Sequence, residues 1–140
     1  MEWKEALPLL QENHTGVAIS VTPKGRAQAT VVSTAVLDGK VGFASRGYTV
    51  KVKNIQRTGR ATITVIKLDT RRYVIVEGPA SIEPWQDTPA QIKRMKELYV
   101  AMGRAPKGTD EEFAQQMRDE ERNLVLVTPE RLYGSLRSGA

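Results

Sequence analysis

The 140-residue chain has no cysteine and one histidine, His14. Disulfides and thiolate metal sites are therefore excluded, and a chain without thiols fits a reducing compartment. His14 has no acid–base partner visible in the sequence. There is no Ser-His-Asp order, no Walker loop, no G-x-G-x-x-G turn and no cluster with metal-ligand spacing. Aromatics are sparse, at 6%, and scattered. That argues against a nucleic-acid-binding barrel, because single-strand binders present aromatic stacking platforms on their strands. No apolar run approaches the roughly 18–20 residues of a membrane span. The segment Met-Glu-Trp-Lys-Glu lacks the basic start and apolar core of a signal peptide. The expectation is a cytoplasmic protein that engages neither membrane nor nucleic acid. If it is an enzyme, a cofactor must carry the reaction.

What is present begins with an uneven charge. The net charge is +5, and residues 46–72 hold eight cations (Arg46, Lys51, Lys53, Arg57, Arg60, Lys67, Arg71, Arg72) against Asp69 alone. From Tyr73 onward acids outnumber bases, eleven to nine. Such a block is either a solvated face or the footprint of an anionic partner. The acids at 110–112 and 119–121 lie at expected helix ends and are assigned to solvated surface. Arg57 and Arg60 are expected to make surface ion pairs.

The order of elements suggests an antiparallel barrel. A short amphipathic helix opens the chain, with Trp3, Leu7, Leu9 and Leu10 near one side and Pro8 weakening it. Strands are expected at 16–22, at 27–37 as one long strand, and at 41–45, with "DGK" (38–40) as a hairpin turn. Strands follow at 60–68 and 72–84, the latter bent at Gly78-Pro79. Two helices come next. The first, 88–103, has Thr88 as N-cap, Pro89 at its first position and Gly103 as stop; the second is 109–120. Residues 122–136 supply a strand, a turn at Thr128-Pro129 and a short final strand. The fold class is therefore mainly β (α+β), a six- to seven-stranded antiparallel split β-barrel with short flanking helices. Residues 1–140 are expected to form one domain, burying about 68–70% of the surface the unfolded chain exposes.

The segment "SRGYTVKVKNIQRTGR" (45–60) reads either as a strand, from the alternation Val50-Lys51-Val52-Lys53, or as a helix, from Val52 and Ile55 three apart. A strand here would follow 41–45 with no turn except Gly47. A short helix crossing one end of the barrel is the better reading. Its first turn, with Ser45, Arg46, Lys51 and Lys53, would then suit a phosphate.

The succession "GRAQATVVSTAVLDGKVGFASR", "VKNIQRTGRATITV", "YVIVEGPASI" and the closing "PERLYGSL" resembles the pyridoxamine 5′-phosphate oxidase-like split barrels. It is most similar to their flavin/deazaflavin oxidoreductase group, and the likeness covers nearly the whole chain. The resemblance implies a homodimer with the cofactor in the groove between two barrels. Gln28, Ala29, Thr30 and Val31 would then run under the ring, and Ser45, Arg46, Lys51 and Lys53 would hold the phosphate. Asn54 would fix the helix turn, and Tyr73 would reach the site from the other subunit or supply a proton. The family uses flavin mononucleotide (FMN), coenzyme F-420 or heme. The "K-x-K-N" arrangement and the cation surplus suit the extended anion of coenzyme F-420, with FMN as the alternative. The implied activity is hydride transfer to a conjugated, electron-poor small molecule. A non-catalytic carrier with the same pocket is the remaining alternative, and no catalytic residue is assigned.

Overall fold

The computed structural model describes residues 1–137. In chain order the elements are α1 (Trp3–Glu12), β1 (Thr15–Val21), β2 (Ala27–Ser33), β3 (Ala35–Leu37), β4 (Lys40–Arg46), α2 (Val50–Thr58), β5 (Arg60–Lys67), β6 (Arg72–Glu83), α3 (Pro89–Ala101), α4 (Asp110–Glu120), β7 (Arg122–Val127) and β8 (Arg131–Ser135). All strand pairings are antiparallel, in the order β2-β1-β5-β6-β7-β4-β3, with β8 added beside β6. This is the expected split barrel, with eight strands rather than six or seven.

The extra strand comes from one boundary. The stretch 27–37, expected as a single strand, breaks at Thr34. Residues up to Ser33 pair with β1, whereas Ala35–Leu37 pair with β4. Thr34 is fully buried. Its N–H donates to the His14 carbonyl at 2.8 Å, and its own carbonyl oxygen lies 3.0 Å from His14 Nδ1. The two ends of the sheet order, β2 and β3, are thus joined by the chain at Thr34 and by no ladder. That unladdered seam is the split.

β6 makes the opposite connection. Its first half, Arg72–Pro79, pairs with β5, and its second, Ala80–Glu83, with β7. The expected bend at Gly78-Pro79 is where it passes from one half of the barrel to the other. A side chain at Gly78 would sit 1.8 Å from the Thr128 carbonyl oxygen, so the crossing requires glycine.

The apolar residues divide into two clusters. One fills the barrel with Phe43, Ile63, Val65, Val74, Val76 and Val125, and takes in Leu9 and Leu10 of α1 and Ile55 of α2. The other lies between the outer face of β3-β4-β7 and the helices α3 and α4, with Leu124, Leu126, Met95, Leu98, Phe113 and Met117. β7 is buried on both faces, its residues alternating between the clusters. The helices cover only this half. The outward face of β2-β1-β5-β6-β8 carries Val17, Ile19, Val31, Ile75 and Tyr133, half-exposed or exposed, brought side by side by the strand register.

The ambiguous segment is a helix, as expected. Val52 and Ile55 of α2 are buried at 0% and 1% exposure, each contributing about 1.5–3 kcal/mol of burial. The helix stops at Gly59, whose φ of 67° is the left-handed conformation of a helix end and whose N–H donates to Ile55 O at 2.7 Å.

Candidate functional site

α2 begins beside the end of β4, and its N-cap is unusual. Thr49 makes no side-chain cap bond to the helix. Its hydroxyl is instead shared with Ser45 Oγ at 3.3 Å and accepts from Lys51 Nζ at 3.4 Å. Three donor-bearing side chains therefore meet where the first-turn N–H groups of a helix have no intrahelical acceptor. No carboxylate pairs with Lys51 among the described residues. Burial, and then the nearby Arg122 charge, hold its ammonium below the ordinary lysine value of 10.5. A half-buried cation without a counter-ion is costly, and an incoming anion would relieve it.

This cluster opens into a cleft of about 330 Å³. Its apolar walls are Val31 and Val32 of β2, Ala44 of β4 and Met102 after α3, and Tyr99 of α3 also lines it. Arg46, Arg104 and Arg122 add to Lys51 on the polar side. The nearby acid is Glu120, and it is already engaged, accepting from Arg122 Nε at 2.7 Å and from Arg46 at 3.3 Å. Burial alone would raise the Glu120 carboxyl. The hydrogen bond and charge of Arg122, helped by the Gln116 amide and then by Arg46, hold it below its usual value instead. Arg122 also donates to the Ala44 carbonyl at 3.2 Å, which fixes it against β4. Val31, 71% exposed, belongs to both the cleft and the open outward sheet face. The cleft therefore opens onto that face.

Of the residues expected at the site, Val31, Ser45, Arg46 and Lys51 come together here. The others do not line this cleft. Gln28 and Thr30 face inward along β2, where Gln28 Nε2 donates to Thr30 Oγ1 at 2.7 Å and Gln28 accepts from Ser20 at 3.2 Å. Ala29 points to the outward face. Lys53 is exposed on another side of α2. Asn54 is buried and donates to Ser20 Oγ at 3.1 Å, while its Oδ1 accepts from Arg57 at 3.1 Å, so it ties α2 to β1. Arg57 also donates to the Val21 carbonyl and so braces the barrel end rather than pairing with an acid. Arg60 makes the expected surface ion pair, with Glu130 at 2.7 Å. Tyr73 lies on the outward face of β6, opposite Ile66 and Ser135.

Thr49, Tyr99, Arg104 and Arg122 were missed. Thr49 carried a signal, a hydroxyl residue directly before a helix. The other three come from elements much further along the chain, and only the fold brings them to the cleft.

The sequence profile of the pyridoxamine 5′-phosphate oxidase family matches residues 3–135. No match was found among functionally curated proteins. Similar solved structures include a conserved hypothetical protein of Mycobacterium tuberculosis, 22% identical over 96% of this chain and 84% of that one, with a TM-score of 0.75. Another is an F-420 reductase, 20% identical over 90% and 94%, with a TM-score of 0.67. A third is a heme storage protein of Vibrio cholerae, 14% identical over 96% and 95%, with a TM-score of 0.71. At these identities the likenesses establish the fold.

Proposed function

The chain belongs to the pyridoxamine 5′-phosphate oxidase family, and from that premise we propose that it is an oxidoreductase using reduced coenzyme F-420. Its substrate is a conjugated, electron-poor small molecule. The observation that carries this reading is the donor set Ser45, Thr49 and Lys51 at the start of α2, with no carboxylate paired to Lys51 among the described residues. The set fits a phosphate, and the apolar walls Val31, Val32, Ala44 and Met102 fit a flat ring. Arg46 and Arg104 suit the further anionic charge of an F-420 tail better than the shorter handle of FMN. The resemblance to an F-420 reductase structure points the same way.

When bound, reduced F-420 supplies a hydride to the acceptor. The chain's own residues hold the phosphate, orient the ring along β2 and β4, and exclude water with the walls of the cleft. A histidine-ligated heme is disfavoured, because His14 lies off the cleft with its Nδ1 3.0 Å from the Thr34 carbonyl oxygen.

The working unit is a homodimer, with each 1–140 domain completing its partner's site. The cleft opens at Val31 onto an apolar outward face that the helices leave bare, and a second copy covers such a face by two-fold symmetry. Tyr73 on that face is then placed to contact the cofactor of the other subunit.

Side-by-side titration of the purified protein with oxidised F-420 and FMN, followed by fluorescence quenching, tests the reading. Micromolar F-420 binding with weaker FMN binding is expected. The reverse order would place the protein among FMN enzymes, and binding of neither would refute the reading. Turnover of an acceptor above the rate without protein separates enzyme from carrier.

A further inference from the structure

We propose that Tyr99 is the proton donor of this site and that its acceptors are conjugated carbonyl compounds. The proposal rests on the functional reading above and adds a residue and a substrate class to it. Tyr99 projects from α3 into the same cleft as Lys51 and Arg122. Its ring is held edge-on against Phe113, with centroids 5.4 Å apart and planes at 82°. Phe113 is itself buried at 3% exposure, so the phenol is anchored at its base. The Tyr99 hydroxyl has no hydrogen-bond partner among the described residues, although it stands in a cleft rich in polar groups. A half-buried phenol on a locked ring, unpaired and facing a binding cleft, is poised to donate to a ligand.

The charges around it suit that role. Burial raises the phenol above the ordinary value of 10.0 and keeps it protonated at neutral pH. Arg122, the largest of the neighbouring charges, acts in the opposite direction and would stabilise the phenolate left after transfer; Glu120, bonded to Arg122, opposes it, and Arg104 and Arg46 contribute less. The Arg122 guanidinium, held against β4 by the Ala44 carbonyl, favours an acceptor whose oxygen becomes negative as it is reduced. A quinone or enone is such an acceptor. A hydride from the reduced deazaflavin adds two electrons and a proton's nucleus at one end of the conjugated system. The electron pair displaced onto the carbonyl oxygen takes the Tyr99 proton as the phenolic O–H bond breaks, and solvent reprotonates the phenolate. Tyr73, the earlier choice for this role, lies on the outward face and does not line the cleft.

The test is Tyr99→Phe, which keeps the ring packing and removes a hydroxyl that makes no hydrogen bond among the described residues. Three quantities are compared with wild type: F-420 affinity, binding of menadione to the protein loaded with oxidised F-420, and menadione reduction with reduced F-420. The proposal expects F-420 affinity to stay within about threefold and menadione binding to weaken about 2- to 10-fold. Reduction should slow by ~10²-fold at neutral pH, with both proteins saturated with F-420. Equal menadione binding and reduction by both proteins would overturn the role of Tyr99. Wild type that binds F-420 yet leaves menadione untouched would overturn the carbonyl assignment. Wild type that does not bind F-420 would remove the underlying reading instead.

Discussion

Lys51→Ala, set against Lys53→Ala, isolates the phosphate site. The two lysines are two residues apart on one helix, yet only Lys51 reaches the cleft, where its Nζ lies 3.4 Å from Thr49 Oγ1. A hydrogen bond to a charged group contributes about 1.5–3 kcal/mol, which corresponds to roughly 10- to 150-fold in affinity. Lys51→Ala should weaken F-420 binding by that factor, whereas Lys53→Ala should leave it within about twofold. Stability should not follow affinity. Because burial depresses the Lys51 ammonium below 10.5, the charged group disfavours the folded state at every pH below its folded value. Removing it should leave the midpoint of apo-protein denaturation unchanged or slightly higher. The same depression sets the pH dependence: wild-type affinity should be full at neutral pH and fall as pH rises through the lowered Lys51 value, earlier than for an ordinary lysine. Lys51→Ala should lack that limb. Fluorescence titration across pH and denaturant melts of the three proteins supply the readouts. Equal affinities for both variants, or a Lys51→Ala loss under about threefold, would refute the argument.

Other perturbations address the scaffold. Gly78→Ala puts a methyl group 1.8 Å from the Thr128 carbonyl oxygen, at the point where β6 changes partners, and should cost about 3 kcal/mol or more in urea denaturation. Arg94 joins α3 to both ends of the second barrel half, bonding Glu83 at 2.8 and 2.9 Å and Asp38 at 2.5 Å. Arg94→Ala should cost about 1 kcal/mol, and less at high salt, when melts are compared at two ionic strengths. Ile75→Lys places a charge on the bare outward face and should convert the proposed dimer to monomer by sedimentation while weakening F-420 binding. A monomeric variant that binds normally would contradict a shared site.

The elements were legible wherever local chemistry was strong. Thr88, Pro89 and Gly103 bounded α3, and Asp38 and Gly39, both at positive φ, made the expected hairpin turn. The chain-order logic of short connections correctly turned 48–57 into a helix. The break at Thr34 was not legible, because "AQATVVSTAVL" contains no glycine or proline. What ends the strand is a pair of contacts with His14, twenty residues earlier. The site divides in the same way. Ser45, Arg46 and Lys51 lie close in sequence and could be grouped by spacing. Lys53 and Asn54 share that spacing but point elsewhere, because a helix turns successive side chains through about 100° and a short motif does not specify which face meets the cleft. Tyr99 and Arg122 reach it through the packing of α3 and β7 on β4.

The central claim is that the start of α2 holds the phosphate of a deazaflavin at the mouth of this cleft. A crystal structure of the protein soaked or grown with coenzyme F-420 tests it most directly. The account predicts the phosphate within hydrogen-bond reach of Ser45, Thr49 and Lys51, with the ring along Val31 and Ala44 and a second subunit closing the outward side. A cofactor phosphate held elsewhere on the protein, with Lys51 free in solvent, would contradict it.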